Sequence, residues 1–354
     1  MLLALRKVII FPSLIEIIGN MTRQIEFDLL KGLGILFVIL GHSVPDFPVN
    51  LRADMVSGAV EQLMYAFHMP LFFICAGCMV QMADNKPFCD WGGYLIFLKK
   101  KFLRLMIPYL SFSILSLGLK LLFSSFTRSS VDFFSSIYGI VFEGKYFWFL
   151  YVMFEVLITI EFLKFLKLKV VYIWLIAIFF YLLGLSLNSN FLCLNRFGYY
   201  LIFTLIGMAC YKSKSFIDVL IQRWYIVLLL LVTFVGLFLL RGSQVLIVTE
   251  ICRFALAICG IGLTYSLCLM IKKTQCRFTS LLSYIGVISL PVYLVHMINQ
   301  LPIYYLVAKM GLPLPIISVV MIFMITAIIT YIMVGIMLRI PFLNYTIGMS
   351  PRRK

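Results

Sequence analysis

Charge is what this chain has least of. Only 12% of its 354 residues are Asp, Glu, Lys or Arg, against 63% hydrophobic residues and a mean hydropathy of +1.07. So few charges cannot solvate the surface of a folded chain this long, which excludes a soluble protein. Long polar linkers and low-complexity tracts are missing too, favouring one bundle over separate domains. There is no GxxxxGK[ST] loop to cradle nucleotide phosphates, which argues against an ATP-driven machine. The 9 cysteines stand at irregular spacings, mostly inside apolar runs, as small hydrophobic residues and not as a disulfide framework. The N-terminal stretch has no apolar core followed by a small-residue cleavage site, because Pro12 and Glu16 interrupt it. Residues 1–22 are an interfacial segment or precede a misassigned start, since Met21 opens MTRQIEFD, a natural beginning.

What is abundant is the apolar run of bilayer length, and the expected fold is all-α, a polytopic bundle of about ten membrane helices. The candidate spans are Leu29–Phe47, Val60–Met82, Phe102–Phe123, Tyr146–Leu163, Val170–Leu187, Phe197–Tyr211, Trp224–Leu240, Ile247–Ile271, Leu281–Val307 and Leu312–Leu338. The ninth contains Pro291 and is expected to kink. Residues 23–340 form the membrane domain, and 341–354 a basic tail.

A net charge of +16 would suggest nucleic acid in a soluble chain. Here no basic stretch carries interleaved aromatics, and no nucleic-acid partner is expected. The cations instead alternate with the spans. Groups such as Arg6, Lys7 and Arg23, Lys86, Lys99 and Lys100, Lys164 to Lys169, Lys272 and Lys273, and Arg352 to Lys354 collect on one side, with 22 of the 30 Lys and Arg. The positive-inside rule makes that side, and both termini, cytoplasmic.

The few ionisable residues inside the spans are costly unless they face a cavity or a partner. Lys31 and His42 lie eleven positions apart, which on a helix is about three turns with a rise of roughly 16 Å, half a bilayer core. They share one stripe, a cation at the cytoplasmic surface and a titratable base near the midplane. The sequence has 3 histidines, and His68 and His296 also fall in the central-to-outer membrane region. A membrane histidine is often only an interhelical hydrogen-bonding group, but His42 is the candidate general base. Gly32, Gly34 and Gly41 would let a substrate or a helix approach closely.

These residues resemble a known family. DLLKG at Asp28–Gly32, Gly41-His42-Ser43 and FHMPLFF at Phe67–Phe73 are similar to the opening of the acyltransferase 3 family, whose Arg/Lys-x10-His motif is matched by Lys31 and His42. KKKFLRLMIPYL at Lys99–Leu110, Trp148-Phe149-Leu150 and SLPVYLVH at Ser289–His296 match its later landmarks. Cys75-Ala76-Gly77-Cys78 departs from the family pattern of a serine and an aromatic around that glycine. The resemblance implies a bacterial inner-membrane O-acyltransferase, most simply an O-acetyltransferase, acting on a sugar hydroxyl of an envelope or secreted polysaccharide. It implies no permanently bound cofactor, with acyl-CoA (acetyl-CoA in the simplest case) as cosubstrate.

The expected roles follow. His42 is the base and His68 orients it or the sugar. Lys31, Lys101 and Arg104 hold the phosphates of acyl-CoA, although a positive-inside stop explains Lys101 and Arg104 equally well. Asp28 positions Lys31. Trp148, Glu155, Glu250, Arg253 and His296 are the other candidate substrate-binding residues, with a structural Glu250–Arg253 ion pair as the alternative. Lys120 is expected to snorkel to the outer interface and to carry no chemistry. The CxxC at Cys75–Cys78 lacks a second pair, so tight helix packing is expected there and no metal. The rival reading is a proton-coupled transporter or flippase of a glycan or lipid-linked sugar, using His and Glu as a relay.

Overall fold

A computed structural model of the chain describes residues 24–83, 88, 90–124, 132–187, 190–240 and 245–349. The expectations for residues 1–22, Arg23, Lys86 and the last residues Arg352 to Lys354 lie outside these. The described residues are helical throughout, without strands. In chain order the helices are α1 (Ile25–His42), α2 (Met55–Met82), α3 (Trp91–Leu122), α4 (Phe133–Phe142), α5 (Trp148–Phe165), α6 (Val170–Ser186), α7 (Leu194–Lys212), α8 (Lys214–Leu220), α9 (Trp224–Leu240), α10 (Leu246–Thr274), α11 (Arg277–Val287), α12 (Ser289–Lys309), α13 (Pro315–Met337) and α14 (Pro341–Thr346).

Five of these, α2, α3, α10, α13 and the helical stretch Phe191–Lys212, are long and apolar enough to cross a membrane, and the number reaches seven if the bent pairs α8–α9 and α11–α12 each count as one. The protein is a helical membrane protein. α1 and α5 have 18 residues apiece but carry three Asp, Glu or Lys residues each, Glu26, Asp28 and Lys31 in one and Glu155, Glu161 and Lys164 in the other. α6 is apolar but only 17 residues long.

Several boundaries differ from the sequence reading for identifiable reasons. The first helix stops at His42 and does not run on to Phe47, because Pro45 forces the residue before it out of helical geometry. Ser43 seals the end, its hydroxyl donating to the Ile39 carbonyl at 2.7 Å. α2 begins five residues earlier than expected, where Asp54 accepts from the Ser57 N–H at 2.9 Å as an N-cap. The ninth span is not one kinked helix. It is broken at Ile288 with a 78° bend, ahead of Pro291, which then sits in the first turn of α12 where its missing N–H costs nothing. The segment after Ile340 is not a free tail over its first residues, since α14 docks and Ile347 is fully buried.

α1 is the hub, packed against α2, α10, α11, α12 and α13. Its closest approach is to α11, where glycines remove the side chains. A Cβ on Gly286 would stand 1.8 Å from the Asp28 carbonyl oxygen, and one on Gly32 would stand 2.3 Å from that of Leu282. α2 and α7 repeat the device: Cβ atoms on Gly77 and Gly207 would lie 2.0 Å from the Thr204 oxygen and 2.2 Å from the Ile74 oxygen. Cys78 adds a thiol donating to the Gly207 carbonyl at 3.2 Å. The CxxC segment is thus a helix-packing surface.

Candidate active site

α1 carries Lys31 and His42 on one unbroken helix, as the spacing implied. Near the Lys31 end, Asp28 is buried and holds the lysine at 2.9 Å. Beside it Glu26, which the sequence reading passed over, is 2% exposed and binds both Lys214 (2.8 Å) and Lys272 (2.9 Å). Lys272, read as a topology signal, is therefore also structural, as is Lys214 at the start of α8. Lys101 and Arg104 flank or sit in a π-helical turn, Phe102–Met106, within α3. Neither forms an ion pair among the described residues, although Glu161 is near enough to attract Lys101, which lies 5.2 Å from the Phe97 ring.

At the other end of α1 the three histidines gather. His42 and His296 have ring centroids 5.6 Å apart. Tyr65 stands between His42 and His68, its ring 5.4 Å from one and 5.0 Å from the other. The Tyr65 hydroxyl lies 2.9 Å from His42 Nδ1. A Cβ on Gly41 would come within 3.1 Å of the Tyr65 ring, so this glycine is what allows the phenol to lie beside the imidazole. Tyr304 donates its hydroxyl to the backbone carbonyl of His42. His68 and His296 each have Nδ1 against the carbonyl four residues back, at 2.6 Å from Met64 O and 3.1 Å from Val292 O. Both must donate from Nδ1, leaving the Nε2 lone pair free. Nε2 of His296, fully buried, has no hydrogen-bond partner among the described residues. The three rings do not amount to a metal site: no group of His, Cys, Asp and Glu among the described residues has that geometry.

His42 also lines a cavity of about 510 Å³, within the range of small-molecule sites. Its walls include Arg52, Glu61, Tyr65, Lys120, Lys145 and Tyr146. Arg52 is spent on Glu61 at 2.6 Å. Tyr65, Tyr304, Lys145 and Tyr146 were not singled out in the sequence. Tyr65 could have been, as it lies one turn from His68 on the same helix face. The others come from α12 and the α4–α5 loop, and nothing local marks them.

The remaining candidates divide. Trp148 belongs to an aromatic series that runs through Tyr200, Phe73, Phe149 and Tyr293 to His296, with successive centroids 4.3 to 5.7 Å apart. Arg196 lies 4.7 Å from the Trp148 ring. Glu155 is partly buried, and its Oε2 has no hydrogen-bond partner among the described residues. Glu250 and Arg253 stand apart from the histidines. They pair at 3.3 Å, Tyr181 donates to Glu250 at 2.9 Å, and Arg253 sits 3.9 Å from the Tyr199 ring. Glu250 borders a second, almost wholly apolar cavity of about 640 Å³ between α6 and α10.

Comparison with known proteins adds one finding. No curated protein and no solved structure matches the chain. The family model of the acyltransferase 3 family, described as an acyltransferase domain, matches residues 24–335, from the first turn of α1 to the last of α13. That span takes in the histidine cluster, Lys31, Lys101 and Arg104, and every other candidate above. The chain belongs to the acyltransferase 3 family and is a membrane acyltransferase.

Proposed function

We propose that this protein transfers an acyl group, most simply acetyl, from cytoplasmic acyl-CoA to a sugar hydroxyl of a bacterial envelope or secreted glycan, with His42 as general base. The observation that carries this reading is α1 itself. It joins a cation at one end of the bundle to an imidazole at the foot of an open cavity toward the other. CoA phosphates are held by Lys31, Lys101 and Arg104, and its pantetheine arm reaches along α1. The acceptor occupies the cavity. Its site is in the inner membrane, and α1, α5 and α6 complete the ten crossings with both termini cytoplasmic.

The chemistry follows from the hydrogen bond to Tyr65. When His42 donates from Nδ1 to the Tyr65 oxygen, Nε2 carries the lone pair. Nε2 takes the proton of the acceptor hydroxyl as that oxygen attacks the thioester carbonyl. The C–O bond forms, the C–S bond breaks, and the imidazolium returns its proton to the departing CoA thiolate. Such general-base assistance contributes about 10²–10⁴ in rate.

His42→Ala is expected to abolish glycan acylation, read by mass spectrometry of envelope polysaccharide, while the protein still inserts and accumulates. Acylation near the normal level would refute the assignment. Lys31→Ala is expected to raise the KM for acyl-CoA with a smaller change in kcat; an unchanged donor dependence would remove the phosphate role.

A further inference from the structure

Lys120, expected to snorkel, lines the cavity beside His42. It lies at the end of α3 with its ammonium 4.6 Å from the Tyr146 ring centroid, and Lys145 brings a second ammonium within 5.6 Å of the same ring. Both line the cavity that His42 lines. Like charges repel, and two cations crowded on one phenol in a half-enclosed cavity call for an anion.

The acids of that cavity are Asp46, Glu61 and Asp132, and no ion pair joins any of them to either lysine among the described residues. Glu61 is bound to Arg52 at 2.6 Å. Asp132 caps α4, accepting from the Ser135 N–H at 2.6 Å. Asp46 has an interaction of its own. Glu143 lies nearby on the loop without forming an ion pair with Lys145, whose ammonium donates to the neutral Ser136 hydroxyl at 3.0 Å. Neither Lys120 nor Lys145 has a carboxylate partner among the described residues.

The arrangement is also held in place. Tyr109, fully buried, donates to the Ile140 carbonyl at 2.5 Å, and the Lys145 N–H donates to the Gly139 carbonyl at 3.0 Å. Tyr146 adopts φ +71°, a left-handed backbone that side chains of its size avoid. Strain of this kind persists where surroundings over-determine it, commonly at ligand clamps.

We infer that the acceptor is anionic: the sugar that enters this cavity carries a carboxylate or a phosphate, which Lys120 and Lys145 bind while a hydroxyl of the same unit reaches His42. This rests on the reading of the cavity as the acceptor site. Two separate ammonium groups suit either anion, each being an array of oxygens that accepts charge-assisted hydrogen bonds.

The test is binding of glucuronic acid, glucose 1-phosphate and glucose to the purified protein by calorimetry at low salt, with His42→Ala assayed in parallel. Wild type is expected to bind at least one of the anionic sugars tenfold or more tightly than glucose, with the preference weakening as salt is raised. Whichever is preferred identifies the anion as carboxylate or phosphate. Lys120→Gln with Lys145→Gln should erase the preference, and Lys120→Arg with Lys145→Arg should restore it. Equal binding of all three sugars, no binding of any, or a preference that survives the double glutamine variant would overturn the inference. His42→Ala should keep the preference. If it does so and still acylates glycan, the anion site stands and the role of His42 falls.

Discussion

In the proposed mechanism, Tyr65 is the residue on which the chemistry of His42 turns. Its hydroxyl lies 2.9 Å from Nδ1 and 3.4 Å from Nε2 of His42, and in that mechanism it holds Nδ1 so that Nε2 meets the acceptor. Tyr65→Phe removes only that oxygen from a ring already packed against two histidines. We expect kcat to fall roughly tenfold, less than the about 10²–10⁴ supplied by the base itself, with little change in KM. Steady-state acyl transfer by the purified variant measures this, and an unchanged kcat would assign the phenol to packing alone. The difference between legible and illegible residues is chemical. Lys31, His42, His68 and His296 stand out because charge and titratable rings are expensive in an apolar segment. A tyrosine is cheap there, and in a chain with 19 of them only the one-turn spacing to His68 points to Tyr65, while nothing local points to Tyr304.

At the scale of the element, the helices that could be read were those with clean apolar runs. α9 begins and ends at the expected residues, Trp224 and Leu240. The break between α11 and α12 was misplaced by a few residues because proline was taken as the point of bending, whereas it stands as the start of a new helix. α4 went unseen because ten residues are too few to register as a span. The crossings depend on glycine. Gly286→Val would drive a side chain into the Asp28 carbonyl and force α1 and α11 apart. Overpacking of this kind costs about 1–3 kcal/mol, occasionally more, so a lower Tm in detergent is expected. Gly335→Ala, where nothing lies within 4 Å of the new Cβ, is the control and should leave Tm unlowered.

At the scale of the whole molecule, the proposed orientation puts the α10–α11 connection in the cytoplasm. That connection carries Cys276, an exposed thiol with hydroxyls of Thr274 and Thr279 at 3.4 and 3.5 Å. Those hydrogen bonds, Thr274 first, bring its pKa down from the usual thiol range to about 6. The thiolate is the reactive form, so Cys276 should label with an impermeant maleimide already at pH 6.5 and gain little above pH 7, where an ordinary thiol is still gaining. The signal lost in Cys276→Ser should come from inverted vesicles and not from intact cells. Labelling from the outside would reverse the orientation. The charge alternation that supports this topology was legible because it depends only on which loop holds a cation. Which cations are also structural, as Lys214 and Lys272 are through Glu26, depends on a partner some two hundred residues distant and was not.

The glycine contacts along α1 have a consequence for which donors can be used. With its backbone pressed against α11 at Gly32 and Gly286, α1 has no slack to slide, and the separation between Lys31 and His42 is a fixed length of about 16 Å. The helix is then a gauge of reach. A donor anchored by phosphate at Lys31 delivers its acyl carbon to His42 only if a flexible arm of that length lies between the two. Acetyl phosphate bound at the same anchor would leave its acetyl group a helix away from the base.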